Sequence, residues 1–317
     1  VSKAGGAYAK DWEGNYGDYA IISDLNPEGL AESLKLAKEL NIDQYDIHQG
    51  AGKTFTQGDF RFAYTESGTA KEYYEKIGKK IEEAGLITAL HTYAYYVSPS
   101  AHGITTVPKW QKQLEYREDE YTLRGDLTKF RGSIKTNEDA TNFDLTETFF
   151  YKNSRYILID EEIIYVGVGT EDGFIRCKRA QCGTTAAEHK DGTKIKHLSG
   201  YFSRFSPQIG SELFYHMADL TAQAYNDGGF SMLYLDAIDG LGKHTGNTND
   251  TYYYFQTYTH RILSQCKNDP IVEFSSSAPQ MWNVRGRMGA WDIPTRGYKA
   301  FVREHLGVNL KDARSNF

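Results

Sequence analysis

Polar and apolar positions alternate with two different periods along the first hundred residues. Three short segments predict strands, at 18–24, 42–48 and 86–92. The segments between them have helical spacing, and Asn26 and Pro27 are typical of an N-cap and a first helical turn. A second helix is predicted over 69–84, with Gly85 ending it. Strands that alternate with helices indicate parallel βα units.

The pattern changes after the third of these units. Residues 112–200 contain short strand-like runs separated by turn residues, which predicts a small all-β domain inserted into the chain. One hairpin is expected to turn at 160–162, which would expose Glu161 and Glu162 at its tip, and further turns are expected at Gly183 and Gly192.

Helical spacing returns at 211–226 and is followed by the segment GGFSMLYLDAIDG, residues 228–240. Its apolar run predicts a buried strand that ends at Asp236. Another helix and two further strand segments are predicted, at 251–265, 270–275 and 280–292. The sequence therefore predicts an α/β fold, a (β/α)8-type (TIM-like) barrel built from 18–111 and 201–317, after a lead-in at 1–17. Six or seven βα units are recognisable, so the barrel is expected to be incomplete or to contain strands of unusual sequence.

Composition narrows the classes of function. Of 317 residues, 40% are hydrophobic and 25% are charged, which is ordinary for a soluble globular protein. The net charge of −6 gives no basic field for nucleic acid, and no run is long enough for a membrane span. Aromatic residues make up 14%, including 24 Tyr, which suits sugar binding as well as an aromatic core. Cys177 and Cys182 can either form a disulfide or remain thiols, like Cys266.

Asp236 is the strongest catalytic candidate. A carboxylate at the end of a buried strand is costly unless it is paired, liganded or catalytic, and parallel α/β folds build their active sites at that end. Glycoside cleavage uses two carboxyl groups, and Glu273 and Asp292 follow later strands. The structural alternative is that these carboxylates cap helices or pair with arginines.

A second set of polar side chains follows the second and third strands: His48, His91, Tyr93 and Tyr95. Such groups can hold sugar hydroxyls or transfer protons. Arg285 and Arg287 can bind a carboxylate, and Trp282 and Trp291 beside them can stack on a sugar ring. His, Tyr and Arg together also suit β-elimination from a uronate, so a polysaccharide lyase is the alternative enzyme. Each of these residues can equally be structural.

Two resemblances extend these expectations. The residues Cys177, Arg179, Gly183, Thr184, Ala186, His189 and Gly192 follow a pattern similar to small β modules of surface and phage-tail-like proteins. The runs LITALHTYAYYV, GFSMLYLDAID and MWNVRGRMGAWD resemble the barrel of α-galactosidase-type retaining glycosidases. That second resemblance implies Asp236 as nucleophile and Asp292 as acid/base. The chain departs from that group because neither Lys nor Trp immediately precedes Asp236 and because of the large insert.

The leading hypothesis is a retaining glycoside hydrolase that cleaves a poly- or oligosaccharide without a cofactor or metal. A lyase is the alternative, and a non-catalytic sugar-binding protein is the third possibility. A polysaccharide substrate implies a secreted, periplasmic or cell-surface location.

Overall fold

The computed structural model describes residues 19–22, 25–49, 52–130, 132–143, 154–275, 281, 284 and 287–288. Its strands are β1 (Tyr19–Ile22), β2 (Gln44–His48), β3 (Ile87–Thr92), β4 (Tyr116–Thr122), β5 (Ile134–Lys135), β6 (Tyr156–Ile159), β7 (Glu162–Tyr165), β8 (Val168–Thr170), β9 (Gly173–Ile175), β10 (Lys178–Gln181), β11 (Lys194–Leu198), β12 (Gly200–Tyr201), β13 (Arg204–Phe205), β14 (Met232–Leu235), β15 (Ile271–Phe274) and β16 (Arg287–Met288).

The helices are α1 (Leu30–Glu39), α2 (Ala70–Tyr73), α3 (Lys79–Glu83), α4 (His102–Thr105), α5 (Pro108–Gln111), α6 (Glu212–Asp227), α7 (Leu241–His244) and α8 (Thr248–Leu263). A π-helical turn, Tyr74–Gly78, joins α2 to α3, and a 3-10 turn, Ile238–Gly240, precedes α7. The chain divides into two compact units. The first contains the described residues of 1–56, 60–94 and 218–317, and the second contains those of 57–59 and 95–217.

A parallel sheet organises the first unit. Its six strands lie in the order β1-β2-β3-β14-β15-β16, and each neighbouring pair is parallel. The sequence-based prediction of an α/β fold with parallel strands is therefore confirmed. Closure of this sheet into a complete barrel stays a prediction.

The two faces of this sheet have different surroundings. On one face, the Tyr45 hydroxyl hydrogen-bonds Ser33 of α1 at 2.7 Å, and Phe274 packs edge-to-face on Phe255 of α8. The opposite face begins with a small apolar cluster of Ala89, Met232 and Ile271. Because side chains alternate along a strand, the residues two positions further along these strands lie on that same face, toward the carboxyl ends.

Local sequence signals predict one of two helix starts correctly. The first helix begins at Leu30, so the expected N-cap at Asn26 is wrong: the Asn26 side chain instead accepts the Glu28 N–H at 2.9 Å in a turn. The second predicted helix does start at Ala70, where the Thr69 hydroxyl accepts the Glu72 N–H.

The second unit consists mainly of antiparallel strands. A five-stranded sheet has the order β10-β7-β6-β11-β4, and a three-stranded sheet has the order β5-β9-β8. Its core includes Tyr121, Ile157 and Phe174. This unit extends beyond the expected 112–200, because bridges from Val97 to Phe205 and from Leu114 to Pro207 tie the entering and leaving segments together. It also contains the short helices α4 and α5, so the prediction of a separate all-β insert at 112–200 stays unproven.

Glu162 corrects an expectation about the hairpin of β6 and β7. Glu161 is exposed as predicted, but the Glu162 side chain is only 1% exposed. It accepts two hydrogen bonds from Arg179, at 2.7 and 2.6 Å, and one from His189 at 2.9 Å. Arg179 and His189 belong to the C-x-R-x-x-x-G-T-x-A-x-x-H-x-x-G pattern, so that pattern holds a buried carboxylate in place.

The three cysteines are free thiols. Within the ranges that the structure describes, none of the helices combines the length and the apolar character needed to cross a membrane.

Candidate active site

Residues with chemically active side-chain types occupy neighbouring positions across the parallel sheet, and we call this set the row. Strand register places His48 beside His91, His91 beside Tyr234, Tyr234 beside Glu273, and Glu273 beside Arg287. The row lies one alternation beyond the apolar cluster of Ala89, Met232 and Ile271, toward the carboxyl ends of the strands. Parallel α/β folds place their active sites at this end.

A chain of three ionisable side chains crosses the row. The Asp46 carboxylate is fully buried and lies 3.0 and 3.1 Å from Nδ1 of His91. Nε2 of the same ring lies 3.5 Å from Oδ2 of Asp236, whose side chain is 25% exposed. His91 therefore connects an interior carboxylate to one that solvent and a ligand can reach.

The environment of His91 favours its charged form. Burial by itself lowers the pKa of this imidazole, but the charge of Asp46, reinforced by Asp236, outweighs burial and raises the pKa from 6.5 to about 9. At neutral pH the ring is an imidazolium, which donates one N–H toward each aspartate. Charge-assisted hydrogen bonds of this kind orient a carboxylate strongly.

The backbone after β14 fixes the other side of Asp236. Ala237 has a φ of +56°, in the left-handed region, and its N–H donates to Oδ1 of Asp236 at 2.7 Å. The Asp236 N–H donates to the Thr92 carbonyl of β3 at 2.9 Å. One carboxylate oxygen is thus held by the turn, and the other faces His91.

Aromatic side chains surround the His91 ring. The Tyr234 ring lies 4.1 Å from it and the His48 ring 4.6 Å, between ring centroids. His48 Nε2 also lies 3.2 Å from the Tyr93 hydroxyl. These contacts leave His91 little rotational freedom and place a second His–Tyr pair beside the carboxylates.

A second carboxyl group lies in the 3-10 turn after Asp236. The Ser275 hydroxyl, just beyond β15, donates to Oδ1 of Asp239 at 3.0 Å. Burial raises the pKa of Asp239, and the nearby charge of Asp236 raises it further, although the Ser275 hydrogen bond acts in the opposite direction. Asp236 and Asp239 thus lie close enough to interact electrostatically while having different surroundings.

The structure brings together several of the residues that the sequence singled out. His48, His91 and Glu273 lie in the row, Asp236 follows β14, and Tyr93 contacts His48. Glu273 lies within β15 and is 2% exposed, deeper than expected for a residue at a strand end. Their catalytic and binding roles stay predictions.

The structure corrects the expected exposure of Tyr95. It was expected among exposed substrate-binding aromatics, but its side chain is 0% exposed and belongs to the second unit. Its hydroxyl donates to that of Tyr96, and its ring packs on Phe214. Ala94, just before Tyr95, has a φ of +39°, in the left-handed region.

The last predicted group falls largely outside the described residues. Four of its members lie outside the described residues: Trp282, Arg285, Trp291 and Asp292. For Arg287 the structure gives the backbone position in β16, beside Glu273.

Sequence reasoning missed Asp46, Tyr234 and Asp239. Asp46 precedes His48 by two residues and Tyr234 precedes Asp236 by two, so the alternation of a strand places each on the same face as its neighbour. A charged residue between the apolar Tyr45 and Ile47 of a predicted strand was the signal for Asp46. The sequence-based candidates are residues at strand ends, and Asp46 and Tyr234 lie two positions before such residues.

These side chains can orient a substrate, present a carboxyl group to it and exchange a proton. Across the described part of the chain, no cluster of His, Cys, Asp and Glu has the arrangement of a metal site. The carboxylates, imidazoles and phenol hydroxyls of the site support acid–base and nucleophilic chemistry.

Comparison with solved structures finds matches that cover most of this chain at low sequence identity. A trehalose-6-phosphate hydrolase of Bacillus licheniformis matches 84% of this chain and 45% of its own, with 11% identity and a TM-score of 0.46. An α-galactosidase from Lactobacillus brevis matches 87% of this chain and 30% of its own, with 11% identity and a TM-score of 0.40. A variant of trehalulose synthase matches 82% and 44%, with 12% identity and a TM-score of 0.46. No family model and no curated protein matches the chain.

These matches include an α-galactosidase, the kind of enzyme that the sequence resembles. The chain spans less than half the length of each of the three solved structures. We therefore infer function from the side chains of the sheet.

Proposed function

We propose that this protein is a glycoside hydrolase that acts on an oligo- or polysaccharide, with Asp236 as the catalytic nucleophile. The observation that carries the proposal is the Asp46–His91–Asp236 chain at the carboxyl ends of the parallel strands, at 3.0 and 3.5 Å. It presents a partly exposed carboxylate from a fixed position, which the oxocarbenium-like transition state of glycoside cleavage requires.

Each part of this chain has a distinct role in the proposed reaction. Asp236 attacks or stabilises the anomeric carbon. His91 donates a charged N–H that orients Asp236, and buried Asp46 keeps His91 charged. Tyr93, His48 and Tyr234 supply aromatic and hydroxyl contacts of the kind that bind sugars. A retaining mechanism needs a second carboxyl group, and the sequence offers Glu273 and Asp292 for that role.

A lyase is the second candidate, and one contact favours it: His48 lies 3.2 Å from the Tyr93 hydroxyl. Such a pair can remove a proton beside a uronate carboxylate. His91 is less suited to that task, because a base must be neutral and this imidazole is held in its charged form. The lyase proposal therefore depends on His48 and Tyr93, with Arg285 and Arg287 as carboxylate ligands.

One experiment separates these proposals. The protein is incubated with a panel of neutral and uronate-containing polysaccharides and aryl glycosides, and both new reducing ends and the ultraviolet absorbance of unsaturated uronates are followed. We compare wild type with Asp236→Asn, His48→Ala and the control Asp43→Asn, which makes the same change as Asp236→Asn at an exposed position just before β2.

Hydrolysis predicts new reducing ends without unsaturated uronates, a loss of roughly 1,000-fold or more in Asp236→Asn, and unchanged Asp43→Asn. If wild type forms unsaturated uronates and His48→Ala does not, the protein is a lyase and the hydrolase proposal is wrong. Glycan binding without either product by wild type would overturn both and leave a sugar-binding protein.

A further inference from the structure

We infer that Asp239 is the proton-donating carboxyl group of this site, the partner of Asp236 in cleaving the glycosidic bond. This inference rests on the proposed function and specifies its second catalytic residue. It assigns to Asp239 the role that the sequence offered to Glu273 or Asp292.

Position is the first support. Asp239 lies in the 3-10 turn Ile238–Gly240, three residues after Asp236 and beyond the end of β14. The Ser275 hydroxyl holds its Oδ1 at 3.0 Å, and Ser275 directly follows the last residue of β15. Asp239 is therefore anchored between the ends of two adjacent strands, at the edge of the sheet where Asp236 is also found.

The difference between the two carboxyl groups is the second support. Asp236 faces the charged imidazole of His91 and receives the Ala237 N–H. Asp239 is partly buried, and its carboxyl group accepts hydrogen bonds from the neutral Ser275 hydroxyl and from its own backbone N–H. Burial and the negative charge of Asp236 raise its pKa, although these hydrogen bonds and Lys243 oppose the shift. Two carboxyl groups whose environments differ in this way commonly divide into an ionised member and a protonated one.

Glu273 is the alternative acid among the described residues. Its Cα lies beside Tyr234, one position before the last residue of the neighbouring strand β14, and its side chain is 2% exposed. Asp239 is partly exposed and lies beyond the strand ends, where a leaving group can reach it. Position therefore favours Asp239.

The proposed reaction has two steps. An Asp236 oxygen forms a bond to the anomeric carbon as the bond to the leaving oxygen breaks, and the Asp239 proton passes to that oxygen. Water then attacks the same carbon, the bond to Asp236 breaks, and the water proton returns to Asp239. Each carboxyl group ends in its starting state.

Leaving-group dependence tests this role. We measure kcat/KM, which reports the first bond-breaking step, for alkyl and dinitrophenyl glycosides of a sugar that the wild-type protein hydrolyses, in wild type, Asp239→Asn, Glu273→Gln and Asp292→Asn. A dinitrophenolate leaves without protonation and an alkoxide does not. Asp239→Asn should therefore lose roughly 100-fold or more on the alkyl glycoside and less than about 10-fold on the dinitrophenyl glycoside.

A residue with a merely structural role would reduce both rates equally, so equal losses in a folded Asp239→Asn protein would overturn the inference. Leaving-group dependence in Glu273→Gln or Asp292→Asn, and not in Asp239→Asn, would also overturn it. If wild type hydrolyses no glycoside, the proposed function fails. If wild type hydrolyses glycosides but Asp239→Asn shows no leaving-group dependence, only this inference fails.

Ser275→Ala provides a second measurement that does not remove the carboxyl group. The Ser275 hydrogen bond favours ionised Asp239, so its loss should raise the Asp239 pKa further and move the alkaline limb of kcat/KM to higher pH. An unchanged limb, with the protein folded and active, would contradict the assignment of Asp239 as the acid.

Discussion

Asp46→Asn tests the electrostatic basis of the site. The substitution keeps the shape of a side chain that is 0% exposed and removes its charge. His91 then loses the largest influence that raises its pKa, while burial, which lowers it, remains. We expect the His91 pKa to fall and the imidazolium to disappear from the folded protein at neutral pH.

The magnitude follows from linkage between protonation and folding. The His91 pKa of about 9 in the folded protein, against 6.5 for the unfolded chain, corresponds to about 3 kcal/mol, at about 1.4 kcal/mol per pKa unit. Because the folded pKa is the higher one, this stabilisation is fully present below pH 6.5 and is lost as the pH rises through about 9. The difference between wild type and Asp46→Asn should shrink over that interval.

Urea unfolding of wild type and Asp46→Asn at about pH 6 and about pH 10 measures this difference, with Asp43→Asn as control. We expect Asp46→Asn to lose about 3 kcal/mol or more at the lower pH, where a buried charge pair is broken, and clearly less at the higher pH. NMR titration of the His91 ring reports the pKa directly. An equal loss at both pH values, or an unchanged His91 titration, would refute the reasoning.

Three further substitutions test other parts of the structure by urea unfolding. Gly229→Ala places a Cβ 2.4 Å from the Tyr74 ring at a φ of +66°, so it should lower the free energy of unfolding by about 2 kcal/mol or more. Gly242→Ala is the control, because open space surrounds that position and the added Cβ should not destabilise the protein. Equal effects of the two substitutions would contradict this prediction. Burial raises the Glu162 pKa, but hydrogen bonds from Arg179 and His189 dominate and lower it from 4.5 to about 2. That stabilisation of about 3 kcal/mol is present above pH 4.5 and lost as the pH falls through about 2. Glu162→Gln should therefore destabilise the protein at neutral pH, and an unchanged free energy of unfolding there would exclude this stabilising role. Asn247→Ala removes the cap that accepts the Asp250 N–H at 2.9 Å and should cost about 1 kcal/mol, while no change would show that this cap is dispensable.

The sequence by itself determined the alternation of strands and helices in the first unit and the strand ends where polar residues collect. Strands at 42–48, 86–92 and 270–275 were predicted within two residues of β2, β3 and β15. Local periodicity suffices for this, because burial of one face imposes a repeat of two on a strand and of about 3.6 on a helix. The same rule explains why His48, His91 and Asp236 were found.

Only the tertiary structure decided which of these side chains meet and which are buried. Asp46 and Asp236 are 190 positions apart in the chain, and strand order places both on His91. Burial similarly turned Glu162 into an interior ion-pair partner and Tyr95 into a core residue. Periodicity specifies the face on which a residue lies, whereas pKa, burial and partner depend on atoms brought close by the packing of distant segments, and no local pattern contains that information.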